Sequence, residues 1–327
     1  MMQLTKPIRW GIIGVGNVTE VKSAPAYQKT EGFEISAVMR RNKEKLIDYA
    51  KRHNIQKWYT DADQLIHDPE VDAVYIATPP DSHCYYGLKV ADAGKPCCIE
   101  KPLTPSYQDS KKVVQAFQEK NISLFVAYYR RSLPRFEQIR QWLAEEKIGK
   151  VRHIHWHLSR SPKPIDLTNH KNWRTNAEVA PGGYFDDLAS HGLDLFAHYF
   201  GNYKEVHGIS TNQQQLYSAK DALAASWVHK NGITGTGLWN FGSFINRDQV
   251  EILGSKGSIQ FSMFWENPSI LNVNGNIEEH FIKHPQHVQQ YHVENIKKHL
   301  LGEVKHPSTG ISGLHTSWVM DRILGNI

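Results

Sequence analysis

The first part of the chain alternates short apolar runs with segments in which apolar residues recur at helical spacing. Continuous apolar runs at 8–15, 33–39 and 71–80 predict strands that are buried on both faces of a sheet. The other predicted elements are shorter strands at 96–102 and 122–128 and helices that end near residue 27 or span 43–53, 62–67, 82–93 and 109–120. This alternation predicts a parallel sheet with helices on both faces.

The pattern changes after residue 129. Apolar and polar residues then alternate over most runs, and short turns such as 230–232 and 255–257 separate several of them, which is typical of an antiparallel sheet with one covered face. The predicted strands are 151–159, 205–210, 222–229, 232–240, 249–253 and 258–263, and the predicted helices are 135–146, 183–200, 292–301 and 313–324. The expected fold class is α/β, with a parallel-sheet domain at 1–125 and an α+β domain at 126–327.

Composition adds few constraints. The 327 residues are 40% hydrophobic and 22% charged, as in ordinary globular proteins, and the net charge of +5 is too diffuse to predict a nucleic-acid partner. The three cysteines show no disulfide or metal-binding spacing, which indicates a reducing compartment. The N-terminal apolar stretch is short and broken by glycine, and no apolar run approaches ~18 residues. We therefore expect a cytoplasmic protein without a membrane partner.

A glycine-rich turn follows the first predicted strand. Gly14, Gly16 and Thr19 occupy a G-x-G-x-x-G frame, with Thr19 in place of the third glycine. In such a frame the first glycine permits a tight turn, the second lets the backbone approach a pyrophosphate, and the third lets the helix pack closely. Thr19 therefore predicts slightly looser packing, and the helix start at Asn17 and Val18 is predicted to offer N–H groups to phosphate. An ordinary glycine turn is the alternative, but the strand–turn–helix context favours dinucleotide binding.

Two arginines follow the second predicted strand. Arg40 lies about 24 residues after Gly16, near the position where an acid binds the ribose 2′-hydroxyl of NAD and an arginine instead binds the 2′-phosphate of NADP. Arg41 follows it. The alternative is a solvated charge pair, which is common for charge runs. Given the glycine turn upstream, the sequence favours NADP, with NAD as the second choice.

A further candidate is Glu100-Lys101-Pro102, which ends a predicted strand. Ligands of open α/β sheets bind at the carboxyl edge of the strands, so Lys101 is placed to reach one. A partly desolvated lysine could hold, protonate or deprotonate a substrate oxygen. Alone this tripeptide is trivial, and only its position makes it a candidate.

The predicted helix at 183–200 carries the last candidate pair. Asp187 and His191 are four residues apart, so their side chains share one helix face. A histidine beside a carboxylate can serve as a proton shuttle. Such a pair is more often structural when nothing else points to a site.

Taken in order, these motifs resemble a known family. The glycine turn, Glu100-Lys101-Pro102, Asn172-Trp173-Arg174 and the D-x-x-x-H of Asp187 and His191 are similar to those of the Gfo/Idh/MocA oxidoreductases, which include glucose–fructose oxidoreductase and inositol dehydrogenase. The resemblance covers essentially the whole chain. It implies an N-terminal Rossmann domain, a C-terminal substrate-binding and oligomerisation domain with an open, mainly antiparallel sheet, and NAD(P)-dependent chemistry on a sugar, cyclitol or related hydroxyl or carbonyl compound.

The resemblance also implies roles for particular residues. Lys101, Asp187 and His191 are the expected catalytic residues: His191 exchanges the hydroxyl proton, Asp187 orients it, and Lys101 holds the same oxygen. Tyr129 is expected at the substrate together with these three. The residues expected to bind or border the cofactor, besides the glycine turn and the arginines, are Thr78, Pro79, His83, Glu100, Lys101, Trp173 and Arg174.

Other interpretations stay open. Some relatives of this family hydrolyse glycosides with a tightly bound NAD, by oxidation, elimination and re-reduction, and a non-catalytic NADP-binding regulator is a third possibility. His153, His155 and His157 alternate along one strand and so share a face, but no carboxylate or thiol lies nearby in sequence, and we expect no metal. A polar-lined sheet face at a subunit contact is the preferred interpretation, with a homodimer or homotetramer expected.

Overall fold

The structure is a computed structural model that describes residues 6–168 and 172–327. The chain divides into two compact units. Unit 1 comprises residues 1–132 and 285–314, and unit 2 comprises 133–284 and 315–327. The expected boundary at 125/126 therefore lies seven residues before the observed one at 132/133, and the sequence did not indicate that 285–314 lies with the first unit.

Ten α-helices lie in the described residues. They are α1 (Asn17–Val21), α2 (Ala24–Lys29), α3 (Lys43–Arg52), α4 (Ala62–Ile66), α5 (His83–Asp92), α6 (Tyr107–Glu119), α7 (Pro134–Ala144), α8 (Tyr184–Phe200), α9 (Gln290–Leu300) and α10 (Gly310–Leu324). Side-chain caps start several of them: Asn42 accepts from the Lys45 N–H at 2.9 Å before α3, as Ser106 does from Asp109 at 3.1 Å before α6. None of the helices in the described part of the chain is long and apolar enough to cross a membrane.

Unit 1 contains a six-stranded sheet in which every neighbouring pair is parallel. Its strands are β1 (Ile8–Ile13), β2 (Phe33–Met39), β3 (Lys57–Tyr59), β4 (Ala73–Ile76), β5 (Cys97–Ile99) and β6 (Leu124–Val126), in the order β3-β2-β1-β4-β5-β6. The three-residue β3 was not predicted, because Lys57-Trp58-Tyr59 is too short to show a period. The order reverses direction between β1 and β4, which makes that edge the expected ligand position.

Both faces of this sheet are covered, as the continuous apolar runs predicted. Trp10 and Ile12 of β1 belong to one buried cluster, and Ile13 belongs to the other. The first cluster also includes Val293 and Ile296 of α9. The segment 285–314 is therefore part of the core of unit 1, which explains its assignment to that unit.

Unit 2 contains an eight-stranded sheet. Its strands are β7 (Val151–Ser159), β8 (Tyr203–Thr211), β9 (Ala222–His229), β10 (Thr234–Asn240), β11 (Arg247–Gly254), β12 (Gly257–Phe261), β13 (Ser269–Val273) and β14 (Asn276–His280), in the order β14-β13-β12-β11-β7-β10-β9-β8. Its neighbouring pairs are antiparallel except for β7 and β10, which are parallel. The mainly antiparallel sheet is confirmed, whereas β13 and the largely polar β14 were not predicted.

Helix α8 packs on one face of this sheet. Trp156 of β7 makes edge contacts with Phe196 of α8 and with Trp239, at centroid distances of 5.9 and 5.6 Å. Gly192 allows the close approach, because a Cβ there would lie 2.4 Å from the Trp156 ring. The sheet thus fixes the rotation of α8 about its axis, and with it the direction of the polar residues on its other side.

Candidate functional site

A cavity of about 380 Å³ opens at the carboxyl ends of β1, β2 and β4 in unit 1. This is the edge at which the strand order reverses, the usual ligand position in open parallel sheets. The lining residues are Gly14, Val15, Gly16, Met39, Arg40, Arg41, Asn42, Ala77, Thr78, Pro79 and Tyr86. The cavity therefore brings together the glycine turn, the two arginines, and Thr78 and Pro79, all predicted separately from the sequence.

The two glycines of the turn have different surroundings. Gly14 has φ of +94°, and a Cβ there would lie 2.5 Å from Thr78 Cγ2 and 2.8 Å from the Thr78 backbone nitrogen. Glycine is required at this position by backbone conformation and by space. A Cβ on Gly16 would meet no atom within 4 Å, so its backbone faces open space. A bound phosphate could approach the backbone there, and the residues present fit a dinucleotide.

Thr19 stabilises the same turn. The Gly16 N–H donates to Thr19 Oγ1 at 2.9 Å, and the hydroxyl donates to the Gly16 carbonyl at 2.8 Å. Thr19 is fully buried, and its carbonyl accepts from the Tyr49 hydroxyl at 3.1 Å. The looser packing expected from the missing glycine is not observed, because the threonine fills its site and bonds the turn.

Arg40 and Arg41 line the cavity directly after β2. The backbone N–H of Arg40 donates to the Tyr59 carbonyl of β3 at 3.2 Å, which fixes where the chain leaves the strand. Within the described ranges 6–168 and 172–327, no carboxylate oxygen lies within 4 Å of either guanidinium group. Both cations are therefore available to an anion in this cavity.

Glu100 is held by a buried hydrogen-bond network in unit 1. Its Oε1 accepts from the Tyr75 hydroxyl and from Gln289 Nε2, both at 2.6 Å. Its Oε2 accepts from the backbone N–H of Lys101 at 3.2 Å. Glu100 is 7% exposed and Gln289 1% exposed. The carboxylate expected at the cofactor thus fixes the backbone next to Lys101, and Gln289, which sequence reasoning missed, supports it.

His83 is also buried and hydrogen-bonded within unit 1. Its side chain is fully buried; Nε2 lies 2.8 Å from the Thr78 carbonyl and Nδ1 lies 3.0 Å from the Pro102 carbonyl. Burial lowers the pKa of the imidazole. His83 is not among the residues that line the cavity, and it joins the loop after β4 to the loop after β5. Its place beside the cofactor stays a prediction.

The exposed Asn17 and its neighbour Val18 begin α1 but are not among the residues that line the cavity. Sequence reasoning missed five lining residues. Four of them are next to a predicted position, and the fifth comes from α5: Val15, Met39, Asn42, Ala77 and Tyr86. Tyr129 begins a short 3-10 helix, Tyr129–Ser132, and the Arg130 guanidinium lies 5.1 Å from its ring centroid. Tyr129 as a substrate residue stays a prediction.

The second group of predicted residues lies in unit 2, at the start of α8. Asp187 is on the first turn and His191 one turn later, so they share a face, as predicted. Arg174 Nε donates to Asp187 Oδ2 at 2.6 Å and its guanidinium lies 4.3 Å from the Trp173 ring. Arg174 is thus ion-paired with the predicted acid, a contact that the sequence did not indicate.

His191 is 4% exposed, and its ring lies 6.0 Å from that of Phe264. The neighbouring Asp186 is buried on another face of the helix, where its Oδ2 accepts from the Gly182 N–H at 2.8 Å. Burial raises the pKa of Asp186 to about 7. The two adjacent aspartates are therefore in different environments, and only Asp187 has a cationic partner among the described hydrogen bonds.

The three histidines of β7 lie on the sheet face opposite α8. His153 is within 2.9 Å of Thr234 Oγ1, and His155 is within 3.0 Å of Thr236 Oγ1. Cross-strand hydrogen bonds to β10 therefore account for two of these imidazoles. His157 is half-buried, and its pKa is lowered, mainly by burial.

Two family models match the chain. One, described as an oxidoreductase family with an NAD-binding Rossmann fold, matches residues 8–128, and the other, the GFO/IDH/MocA C-terminal domain, matches residues 136–260. Together they span most of both sheets.

Individual relatives agree. The chain is 39% identical to oxidoreductase P35 of Formosa agariphila, over 97% of this chain and 98% of that protein. It is 26% identical to the trans-1,2-dihydrobenzene-1,2-diol dehydrogenase of Mus musculus, over 83% and 79%. A structure of levoglucosan dehydrogenase with NADH and levoglucosan has the same fold, with a TM-score of 0.84, 22% identity, and coverage of 97% and 96%. The chain is a member of the GFO/IDH/MocA oxidoreductase family.

Proposed function

We propose that this oxidoreductase prefers NADP and transfers hydride between the nicotinamide and a hydroxyl-bearing carbon of a sugar, cyclitol or related compound. The observation that carries the cofactor preference is the pair Arg40 and Arg41. Both line the cavity beside the glycine turn, and no carboxylate of the described residues is paired with them. A 2′-phosphate would supply the missing anion, and arginine binds phosphate through two parallel hydrogen bonds.

When bound, the nicotinamide accepts or donates the hydride. The pyrophosphate would approach the Gly16 backbone and bind the N–H groups at the start of α1, because the N–H groups of Gly14 and Gly16 already donate to Met39 and Thr19. In unit 2, His191 would take the proton of the substrate hydroxyl during oxidation and return it during reduction, while Asp187 orients the imidazole. Lys101 would hold and polarise the substrate oxygen, with its backbone fixed by Glu100.

The relatives support the substrate class. Levoglucosan dehydrogenase takes a sugar derivative, and the mouse enzyme is named for a cyclic diol. Both are ring compounds with adjacent hydroxyl groups. A hydroxyl-bearing ring is therefore the class we propose for this chain.

The first experiment is a substrate panel. Sugars, inositols, dihydrodiols and dicarbonyls are assayed with NADP(H) and NAD(H) by absorbance at 340 nm. Turnover of at least one ring polyol, faster at limiting NADP than at limiting NAD, is the expected result. Sugar release from a glycoside without net change in NADPH would instead identify a hydrolase, and tight cofactor binding without turnover would indicate a regulator.

The cofactor preference has its own test. Arg40→Asp should raise the KM for NADP by about 10-fold or more relative to that for NAD, because the variant loses a cation and places a carboxylate beside the phosphate. Lys51→Asp makes the same charge reversal on the exposed side of α3, outside the cavity lining, and should leave both constants unchanged. An equal effect of Arg40→Asp on both cofactors would mean that the arginine is ordinary surface charge.

A further inference from the structure

The cavity at the carboxyl ends of β1, β2 and β4 has an aromatic side chain in its lining, Tyr86 of α5. It is the sole aromatic residue among the described residues that line this cavity. The contacts proposed for the pyrophosphate and for the 2′-phosphate do not use it. An aromatic ring offers a flat apolar face, the kind of surface on which a nucleotide base stacks.

The place of the base in this cavity follows by elimination. The pyrophosphate is proposed at the start of α1, and the ribose beside Arg40 at the end of β2. Because the adenine is attached to that ribose, it must lie in the part of the cavity next to Arg40. There the lining continues with Arg41, and the far side of β1 contributes Pro79 and Tyr86.

The position of the Tyr86 ring is fixed by packing. Tyr86 is half-buried and packs against the buried cluster that includes Val90 and Ile99. Its ring centroid lies 5.2 Å from that of Tyr85, in an edge contact. Tyr85 is itself 58% exposed, and Lys89 Nζ lies 5.0 Å from its ring. The Tyr86 ring is thus held between the core and its neighbour, so a ligand would not have to order it.

Arg41 reaches the same cavity from the other direction. In the strand order β2-β1-β4, Arg41 follows β2, and Tyr86 belongs to the helix that follows β4. The two side chains therefore line the cavity from opposite sides of β1. Burial is the main cause of the raised pKa of Tyr86, and the charge of Arg41 opposes it, as expected for residues of one cavity. Because a guanidinium group stacks on planar rings, Arg41 can cover a base from its side.

We propose that the adenine of the cofactor binds between the Tyr86 ring and Arg41, so that Tyr86 determines the affinity for NADP and for NAD alike. The inference rests on the proposed function for placing the dinucleotide in this cavity. Since both cofactors carry adenine, Tyr86 sets how tightly either one binds, whereas Arg40 sets which one is preferred. Affinity and selectivity are thus assigned to different residues of one cavity.

The experiment measures the Kd of NADP and of NAD by calorimetry on the full-length protein and its variants. Tyr86→Ala should raise both constants by about 10-fold, the usual effect of removing an aromatic ring from a stacked base, and should leave their ratio as in the parent. Tyr86→Phe keeps the ring and should bind both cofactors within about 2-fold of the parent. Arg41→Met should weaken NAD by about 3-fold, although NAD carries no 2′-phosphate, because the base loses its cationic cover.

Tyr291→Ala, which removes an exposed tyrosine of α9, is the matched control and should leave both constants unchanged. Urea unfolding checks that each variant folds. Normal binding of both cofactors by a folded Tyr86→Ala would overturn the inference, as would a loss confined to NADP or an equal loss in Tyr86→Phe. Unchanged NAD binding by Arg41→Met would overturn the two-sided pocket. A parent that binds NAD more tightly than NADP, but loses both in Tyr86→Ala, would count against the proposed cofactor preference alone.

Discussion

The two units build their candidate sites in different ways. In unit 1 the cavity lies at the ends of parallel strands, where Gly14 and Gly16 contribute by having no side chain. In unit 2 the candidate residues are side chains on one face of α8, whose rotation is set by packing on Trp156. The first kind of site is sensitive to added atoms, and the second to removed ones, so the two respond to opposite kinds of substitution.

The largest effect should come from a residue that does not follow this division, because Lys101 is a side chain contributed by a strand end of unit 1. Lys101→Met keeps the length of the side chain but removes its charge and its donors. We expect kcat to fall by about 10²-fold or more, because a general acid–base group typically contributes that much. The Kd for NADP, measured by fluorescence, should change less than 2-fold.

Lys111→Met removes an exposed lysine of α6 and is the control for loss of charge alone. Full activity of Lys101→Met would exclude Lys101 from the reaction. The chemistry would then depend on unit 2 side chains only, and the contrast between the units would be complete.

The next effect separates the two glycines. Gly14→Ala forces an alanine into φ of +94° and into contact with Thr78, so unfolding in urea should show a loss of about 1–3 kcal/mol. Gly16 has φ of −167°, which any residue adopts, and a Cβ there meets nothing. Gly16→Ala should therefore leave stability unchanged, or raise it by a few tenths of a kcal/mol.

For NADP binding, the larger effect should come from Gly16 and not from Gly14. The Cβ of Gly16→Ala would occupy the open space beside the backbone, and we expect NADP to bind about 10-fold more weakly, since the second glycine admits the pyrophosphate. Unchanged binding by a well-folded Gly16→Ala would remove the phosphate from this position. The comparison then becomes a test of whether this turn is a phosphate cradle or only a tight turn.

The sequence predicted unit 1 better than unit 2 for a physical reason. Strands buried on both faces are continuous apolar runs, and their carboxyl ends share one edge, so Gly14 and Arg40 could be placed together from spacing. Thr78 was expected there only from the family resemblance. On α8 the i, i+4 rule placed Asp187 beside His191. The strand β14 was missed because it is largely polar and lies at the edge of the second sheet.

Long-range partners account for most of the rest. Gln289 meets Glu100 across 189 positions of sequence, and no local pattern relates them. The same holds for Arg174 and Asp187, which are 13 residues apart and joined only when the loop folds against α8. Nothing local in the sequence indicates that the His83 side chain is buried against the Thr78 carbonyl.

A smaller effect on turnover should follow from breaking one of these long-range hydrogen bonds. Gln289→Leu removes the donor to Glu100 Oε1 while filling a similar volume. The Glu100 carboxylate would keep Tyr75 but lose a charge-assisted bond, so the backbone at Lys101 should be less well fixed. We expect kcat to fall about 10-fold with little change in the KM for NADP, because misplacement of a reacting group costs rate more than binding.

Gln290→Leu is the matched control. Gln290 is the next residue along the chain, and its side chain donates to Glu294 within α9 and not to Glu100. If Gln289 had only a structural role, Gln289→Leu would lower stability without changing kcat or KM. Steady-state kinetics and urea unfolding are therefore measured together. Loss of stability with normal kcat would contradict positioning of Lys101 by this network. The result decides whether the segment 285–314 contributes to the reaction through Glu100 or only to the packing of unit 1.

The smallest effect on turnover should come from Asp186, whose replacement changes stability and not rate. Its carboxyl is 3% exposed, and burial, with smaller contributions from the charges of Asp321 and Asp187, raises its pKa to about 7. In the unfolded chain an aspartate has a pKa of about 3.9. Between these values the native state holds a proton that the unfolded state has lost, so stability should fall as pH rises from about 4 to about 7.

Asp186→Asn removes this titration, since the amide carries no charge and its oxygen can still accept from the Gly182 N–H. The variant should therefore lose less stability than the parent as pH rises through that window, by up to about 1.4 kcal/mol for each pH unit in urea unfolding. Glu178→Gln, an exposed acid of the same unit, should leave the slope unchanged. Parallel slopes for the parent and Asp186→Asn would show that Asp186 ionises normally. A flatter dependence of stability on pH, with unchanged kcat, would show that Asp186 contributes to the stability of the fold and not to turnover, in contrast to the role proposed for Asp187.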